Sequence, residues 1–175
     1  SGVAGAGAAE SGPAGAGAAE SGPAGAGAHV VGFSDGGNVA LLLALRHPDL
    51  VRSLVLYGAN TDPSGLTRRA RAEVTATWLA QRLRGVRDPA ARARAEVTDL
   101  MVHQPRIPLR ALGRIAVPVL VAAGEHDVVR RTHTEAVAAH LPAGRCLVVP
   151  GAGHGLPLAD PAAFARLVRA FLEAV

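Results

Sequence analysis

The sequence has little that is aromatic and almost nothing that is reactive. Phe, Trp and Tyr together make up 3% of the 175 residues, so any core must be built from Ala, Val and Leu. There is one cysteine, Cys146, which excludes an internal disulfide and fits a reducing compartment. It stands in the apolar run Cys146-Leu147-Val148-Val149 and reads as a small core residue. Lysine is absent, and all eighteen basic residues are arginine. No stretch approaches the roughly 18 consecutive apolar residues of a membrane span. Ser1 onward shows neither a basic n-region nor a Leu-rich apolar stretch, so no secretion signal is expected and a cytoplasmic location is the default. The +4 formal charge raises nucleic-acid binding as a possibility, but the charge is not organised for it. Eleven Arg and five acids lie between Asp62 and Arg114, with no interleaved aromatics, no helix-turn-helix pattern and no zinc-ligand spacing. Neither a nucleic acid nor a membrane is expected as partner.

What is present begins with a repeat of period ten: SGVAGAGAAE, SGPAGAGAAE and SGPAGAGA fill residues 1–28. Gly and Ala bury too little surface to offset an ordering entropy of about 1–2 kcal/mol per residue. Residues 1–28 therefore read as a low-complexity tail, with a short Ala-rich helix or a repetitive interaction segment as the alternatives. Three copies are too few to stack as a solenoid.

From His29 the pattern changes to that of an α/β domain. His29-Val30-Val31-Gly32-Phe33 and Ser53-Leu54-Val55-Leu56-Tyr57 are continuous apolar runs, separated by a helical stretch from Val39 to Arg46. Such unbroken strands belong to a parallel sheet covered on both faces. Val117 to Ala123 and Arg145 to Val149 supply two more strands, Pro118 fitting a strand start. Helices are predicted from Thr132 to Leu141 and from Asp160-Pro161 onward, the latter with Phe164, Leu167, Val168 and Phe171 at helical spacing. Residues 62–114 interrupt the rhythm. Pro63 to Gly85 and Asp88-Pro89 to about Gln104 read as two amphipathic helices, packed on the domain or capping a pocket. The prediction is a sheet of about four parallel strands with flanking helices and a helical insertion.

Three motifs carry the chemistry. Gly32-Phe33-Ser34-Asp35-Gly36 fits G-x-S-x-G at a strand-to-helix turn, the context that lifts a serine hydroxyl above the sheet edge. The following helix N-terminus favours developing negative charge, and the Asp35 backbone N–H is placed to donate to an oxyanion. Two readings of the Asp35 carboxylate stand open: a first-turn acid favoured by the helix dipole, or a contact to a cationic group on the substrate. Gly124-Glu125-His126-Asp127 follows a strand and so reaches the carboxyl edge of the sheet, where such folds hold ligands. Asp127 is the preferred partner for a histidine, with Glu125 as its competitor. Pro150-Gly151-Ala152-Gly153-His154-Gly155 follows the last strand, and His154 alone among seven histidines sits in a Gly-flanked loop there. Its side-chain type suits general-base work near neutral pH. The order Ser34, Asp127, His154 is that of α/β-hydrolases. Leu66 and Trp78 are expected to line the pocket from the insertion, and Asn60 to hydrogen-bond near the substrate.

On these residues the chain resembles the α/β-hydrolase superfamily over about residues 28–175. The runs Gly32-Phe33-Ser34-Asp35-Gly36-Gly37 and Leu54-Val55-Leu56-Tyr57-Gly58-Ala59-Asn60 are similar to those of the valacyclovir hydrolase (biphenyl hydrolase-like) group. The resemblance implies ester hydrolysis without metal or organic cofactor, and a role for Asp35 in holding the amino group of an amino-acid ester. It also implies four further strands ahead of the elbow, with a loop donating the second oxyanion hydrogen bond. Only the repeat precedes His29, so the expectation is the C-terminal part of the fold. The strand at 29–33 would then be an exposed apolar edge open to self-association. Loss of one oxyanion donor would lower the rate by about 10²–10³, and a catalytically inactive fragment is the alternative reading.

Overall fold

A computed structural model describes residues 27–175; the repeat tail, but for its last two residues, lies outside them. Four strands form one parallel sheet in the order β1-β2-β3-β4: β1 Ala28–Phe33, β2 Val51–Tyr57, β3 Val119–His126 and β4 Gly144–Gly153. Six α-helices accompany them among the described residues: α1 Asp35–Arg46, α2 Arg68–Arg84, α3 Pro89–His103, α4 Arg131–Ala139, α5 Leu156–Ala159 and α6 Pro161–Leu172. This is the parallel-sheet α/β architecture expected from the apolar runs.

The period-two geometry of strands divides the core into two layers. Leu54 and Leu56 of β2, with Val119 and Val121 of β3, point to the face covered by α1 and α4, meeting Leu41, Ala44 and Val137. Val55 and Tyr57, with Leu120 and Ala122, point to the opposite face and meet Phe171. Phe164, Leu167 and Val168 of α6 pack beside them. The four apolar side chains read as one stripe of the last helix thus cover one face of the sheet. Asp160 caps that helix by accepting from the Ala163 N–H, and Pro161 occupies its first turn, where the missing N–H costs nothing.

Element boundaries shift from the sequence reading for local reasons. α1 begins at Asp35, taking in Gly36 and Gly37, because the Ser34 carbonyl already accepts from the Gly37 N–H at 2.9 Å. β1 starts at Ala28, one residue inside the expected tail. β3 starts after Pro118 rather than before it, since that proline has no N–H to give a ladder. The helix expected from Pro63 divides: a single 3₁₀ turn spans Pro63–Gly65, and α2 restarts where the Thr67 side chain accepts from the Ala70 N–H. β4 continues through the glycines to Gly153, paired with His126. Cys146 is exposed, not a core residue, because β4 is an edge strand of this sheet. β1 is the other edge, and Val31 on it is 45% exposed. Among the described residues no helix is long and apolar enough to cross a membrane.

α2 and α3 pack against each other beside the carboxyl edge of the sheet. Few of their side chains are buried, Ala70 in α2 and Ala91 and Ala95 in α3.

The strand-to-helix turn is set by steric contact. A Cβ built on Gly32 would stand 2.6 Å from the Gly36 carbonyl oxygen and from the Gly37 Cα, both backbone atoms that cannot rotate away. A Cβ on Gly36 would meet nothing within 4 Å. Gly32→Val is therefore expected to destabilise the chain by about 1–3 kcal/mol, the range for overpacking. Gly36→Ala, which adds a better helix former, is expected not to lower stability. Urea midpoints of the two variants check this, and equal losses would contradict it.

Candidate active site

Ser34, at the turn between β1 and α1, has φ 53° and ψ −123°. It is the one non-glycine residue with positive φ among the described residues. Such a backbone costs about 1–3 kcal/mol and persists only where neighbours fix it. Here its N–H donates to the Tyr57 carbonyl at 2.8 Å, tying the elbow to β2. The hydroxyl oxygen lies 3.1 Å from His154 Nε2. His154 Nδ1 lies 2.8 Å from Asp127 Oδ1. The structure thus brings together the three side chains singled out from the sequence, from the ends of β1, β3 and β4.

Asp127 is closely bound. Its side chain is 1% exposed, and it accepts from the Val129 N–H at 2.9 Å and the Gly124 N–H at 3.2 Å. Burial pushes its carboxyl upward, but the hydrogen bond to His154 and those two backbone donors outweigh it. The net direction is below the ordinary value of 3.8. The group is therefore held as a carboxylate that can orient the imidazole and stabilise its protonated form. The competing acid, Glu125, has another task. It accepts from the Gly151 N–H at 2.8 Å, bracing the loop that carries His154.

Further residues frame the imidazole. The Tyr57 hydroxyl donates to the Gly153 carbonyl at 2.9 Å, one residue before the histidine. Burial first, and the Asp127 charge second, push that phenol up to about 12, so it stays a donor. The Phe33 ring lies 5.0 Å from the His154 ring, centroid to centroid. Gly58 has φ 62°, and a Cβ there would stand 2.7 Å from the imidazole Cε1, so this position admits no side chain. Sequence reasoning passed over Tyr57 and Gly58, although both sit at the carboxyl end of a strand where ligand-binding residues gather.

A cavity of about 240 Å³ opens at Ser34 and His154, and Asp35, Asn60 and Leu66, all singled out from the sequence, stand in its wall. Glu73 and Met101 join them from α2 and α3. Asn60 is buried; its N–H donates to Asn38 Oδ1 at 3.1 Å, and its side-chain amide to the Asp62 carbonyl. Asn38 Nδ2 in turn donates to the Asp35 carboxylate at 3.2 Å. Trp78 is a correction. It lines a separate cleft of about 560 Å³ between α2 and α3, stacked edge-on against His103 with Arg82 over its ring. Trp78 shares a face of α2 with Val74, which reaches the Ser34 cavity, but it stands one turn, about 6 Å, further along the axis, beside α3. Among the described residues no three His, Cys, Asp or Glu side chains gather as metal ligands would.

A strained serine on a strand-to-helix elbow, backed by a His–carboxylate pair from later strands of a parallel sheet, marks an α/β hydrolase. The family model described as "Alpha/beta hydrolase family" matches residues 4–167, and the chain belongs to that family. Serine hydrolase BPHL of Mus musculus is 27% identical over 159 residues, covering 82% of this chain and 54% of its own length. The pimeloyl-[acyl-carrier protein] methyl ester esterase of Neisseria meningitidis serogroup C is 30% identical, covering 83% of this chain and 70% of its own. Among solved structures, BpoC of Mycobacterium tuberculosis H37Rv is 27% identical with TM-score 0.61, over 84% of this chain and 67% of that one. The α/β hydrolase MGS-M2 from a deep-sea metagenome shares the fold at TM-score 0.66 and 17% identity, over 85% of this chain and 66% of that one. The similarity to the valacyclovir hydrolase group read from the elbow agrees with the match to BPHL. The chain spans about half the length of the BPHL relatives it matches.

A half-buried histidine besides His154 was missed in the sequence. His133 Nε2 accepts from the Thr61 N–H at 3.1 Å, and its ring fills the space where a Gly65 side chain would be. It thereby pins the segment between Asn60 and Leu66. Burial, then the Arg130 charge, lower its pKa from the ordinary 6.5, with Asp62 opposing. The unfolded chain takes up this proton first as pH falls, so the stabilisation is complete above about 6.5 and is lost below it. His133→Gln is expected to lose less stability than the wild type between about pH 7.5 and 5.5, measured by denaturant unfolding. An identical pH slope in both would contradict that.

Proposed function

We propose that this chain is a serine hydrolase cleaving carboxylic esters through an acyl-enzyme, with Ser34 as nucleophile, His154 as general base and Asp127 as its orienting acid. The observation that carries the reading is the hydrogen-bonded line Asp127–His154–Ser34 opening on a cavity. His154 Nε2 takes the hydroxyl proton as Ser34 attacks the ester carbonyl, then returns it to the departing alcohol. Water repeats the sequence on the acyl-enzyme. The Asp35 N–H, in the first turn of α1 and so without an intrahelical acceptor, donates to the tetrahedral oxyanion, helped by the helix dipole.

Asp35 and Glu73 both border the cavity and no arginine does. That charge balance favours substrates with a cationic group, amino-acid esters among them. Neither a metal nor an organic cofactor enters the reaction, and a cytoplasmic setting suits the unpaired Cys146.

The second reading is a non-catalytic half-sheet that self-associates, favoured by the exposed β1 edge with Val31 on it. A fluorophosphonate probe separates the two: the hydrolase reading expects one adduct at Ser34, absent in Ser34→Ala, whatever the size of the particle. Asp127→Asn is expected to lower turnover of p-nitrophenyl acetate about 10⁴-fold, the loss typical when the histidine's orienting acid is removed. Unchanged turnover in Ser34→Ala would remove the proposed nucleophile.

A further inference from the structure

The Ser34 cavity has a neighbour along α1. Asp35 and Gln104 line it, and both also line a second chamber of about 440 Å³ that runs along α1. One wall of this chamber is a stripe of α1 itself: Asp35, Val39, Leu42 and Arg46 follow one another at intervals of three and four residues, which places them on one helix face. Leu100 at the end of α3, and Ile107 beyond it, form the opposite wall. Between Asp35 and Arg46 the walls are mostly apolar, with Asn38 and Gln104 as polar exceptions, and Val39 is 65% exposed although it lies in the middle of a helix.

The far end is different. There Arg46, in the last turn of α1, borders the chamber; Arg106 borders it too, between Pro105 and Ile107. Arg106 is already engaged, donating to the His103 carbonyl at 3.0 Å and adding its charge to the Ser64 hydrogen bonds that lower the Asp62 carboxyl pKa. Arg46 has no carboxylate within ion-pair distance among the described residues. From Asp35 to Arg46 the helix advances roughly 16 Å at 1.5 Å per residue. An acidic mouth, an apolar passage and a basic end thus follow in order away from Ser34.

We propose that this second chamber is a binding site for the distal part of the substrate, an apolar medium-length chain ending in an anionic group that meets Arg46. The assignment rests on the serine hydrolase reading only for the position of the ester at Ser34. The passage supplies apolar contact along its length, and the guanidinium offers a charge-assisted hydrogen bond to a carboxylate or phosphate. A short ester fills the first cavity and never reaches the arginine.

The test is a binding titration in Ser34→Ala, so that an ester survives the measurement. Monomethyl suberate carries one methyl ester and one carboxylate across a medium chain; dimethyl suberate lacks the charge; monomethyl succinate is too short. Monomethyl suberate is expected to bind about tenfold more tightly than either, the scale of one hydrogen bond to a charged group. Adding Arg46→Glu is expected to erase that preference, and Val39→Trp to weaken both suberate esters by blocking the passage. Circular dichroism of each variant guards against misfolding. Equal affinity for the charged and neutral suberates, failure to bind either, or a preference that survives Arg46→Glu would overturn the proposal. Fluorophosphonate labelling of the unaltered chain is read in parallel. Labelling at Ser34 without charge preference removes the chamber and leaves the hydrolase reading. Charge preference without labelling does the reverse.

Discussion

Everything at this site depends on how closely β1 and α1 approach each other around Ser34. The serine backbone sits at φ 53°, a conformation an L-residue keeps only under compulsion. Three contacts supply it. Gly32 leaves no room for a side chain against the first turn of α1. Gly37 faces Ala59, with space for a Cβ on one of the two but not on both. The Ser34 N–H is spent on the Tyr57 carbonyl of the neighbouring strand. Loosening any of them would free the hydroxyl to move relative to His154, and the proton transfer proposed for the pair needs the two within hydrogen-bond reach.

The parallel sheet then does the work of assembly. Phe33 stands beside Tyr57, Tyr57 beside Ala122 and Gly124 beside Val149 in the strand register. Three chain segments up to 120 residues apart thus end at one rim. The histidine loop has its own supports, in the Tyr57 hydroxyl on Gly153 and the Glu125 carboxylate on Gly151. Those two hydrogen bonds hold the stretch just before His154, and each contributes on the order of 1 kcal/mol.

Much of this was legible in the sequence because it is local. The elbow needs small residues around one serine, and a Gly-flanked histidine after an apolar run has few other meanings. The strand-helix order followed from unbroken apolar runs, although ends shifted where a cap at Thr67 or a proline at 118 decided the boundary. What could not be read depends on rotation and on neighbours far along the chain. Trp78 looked like a pocket residue from its size, yet it lies one helical turn past Val74, beside His103 of α3 and outside the cavity. Cys146 looked like core until the sheet order left β4 at an edge. Glu125 and Asp127 were told apart by which of them the backbone N–H groups of Val129 and Gly124 hold beneath the imidazole.

The sheet that carries this site has two open edges among the described residues, and the chain covers about half the length of the BPHL relatives. The hydrogen bonds that hold Ser34, Asp127 and His154 among the described residues come from residues 34–154. The measurement closest to the central claim is the proton NMR signal of the His154 Nδ1–H. A hydrogen bond of 2.8 Å to the buried Asp127 carboxylate is expected to give one strongly deshielded imidazole resonance, absent in Asp127→Asn and in His154→Ala. A spectrum without that resonance, or one in which it survives Asp127→Asn, would contradict the convergence on which the account stands.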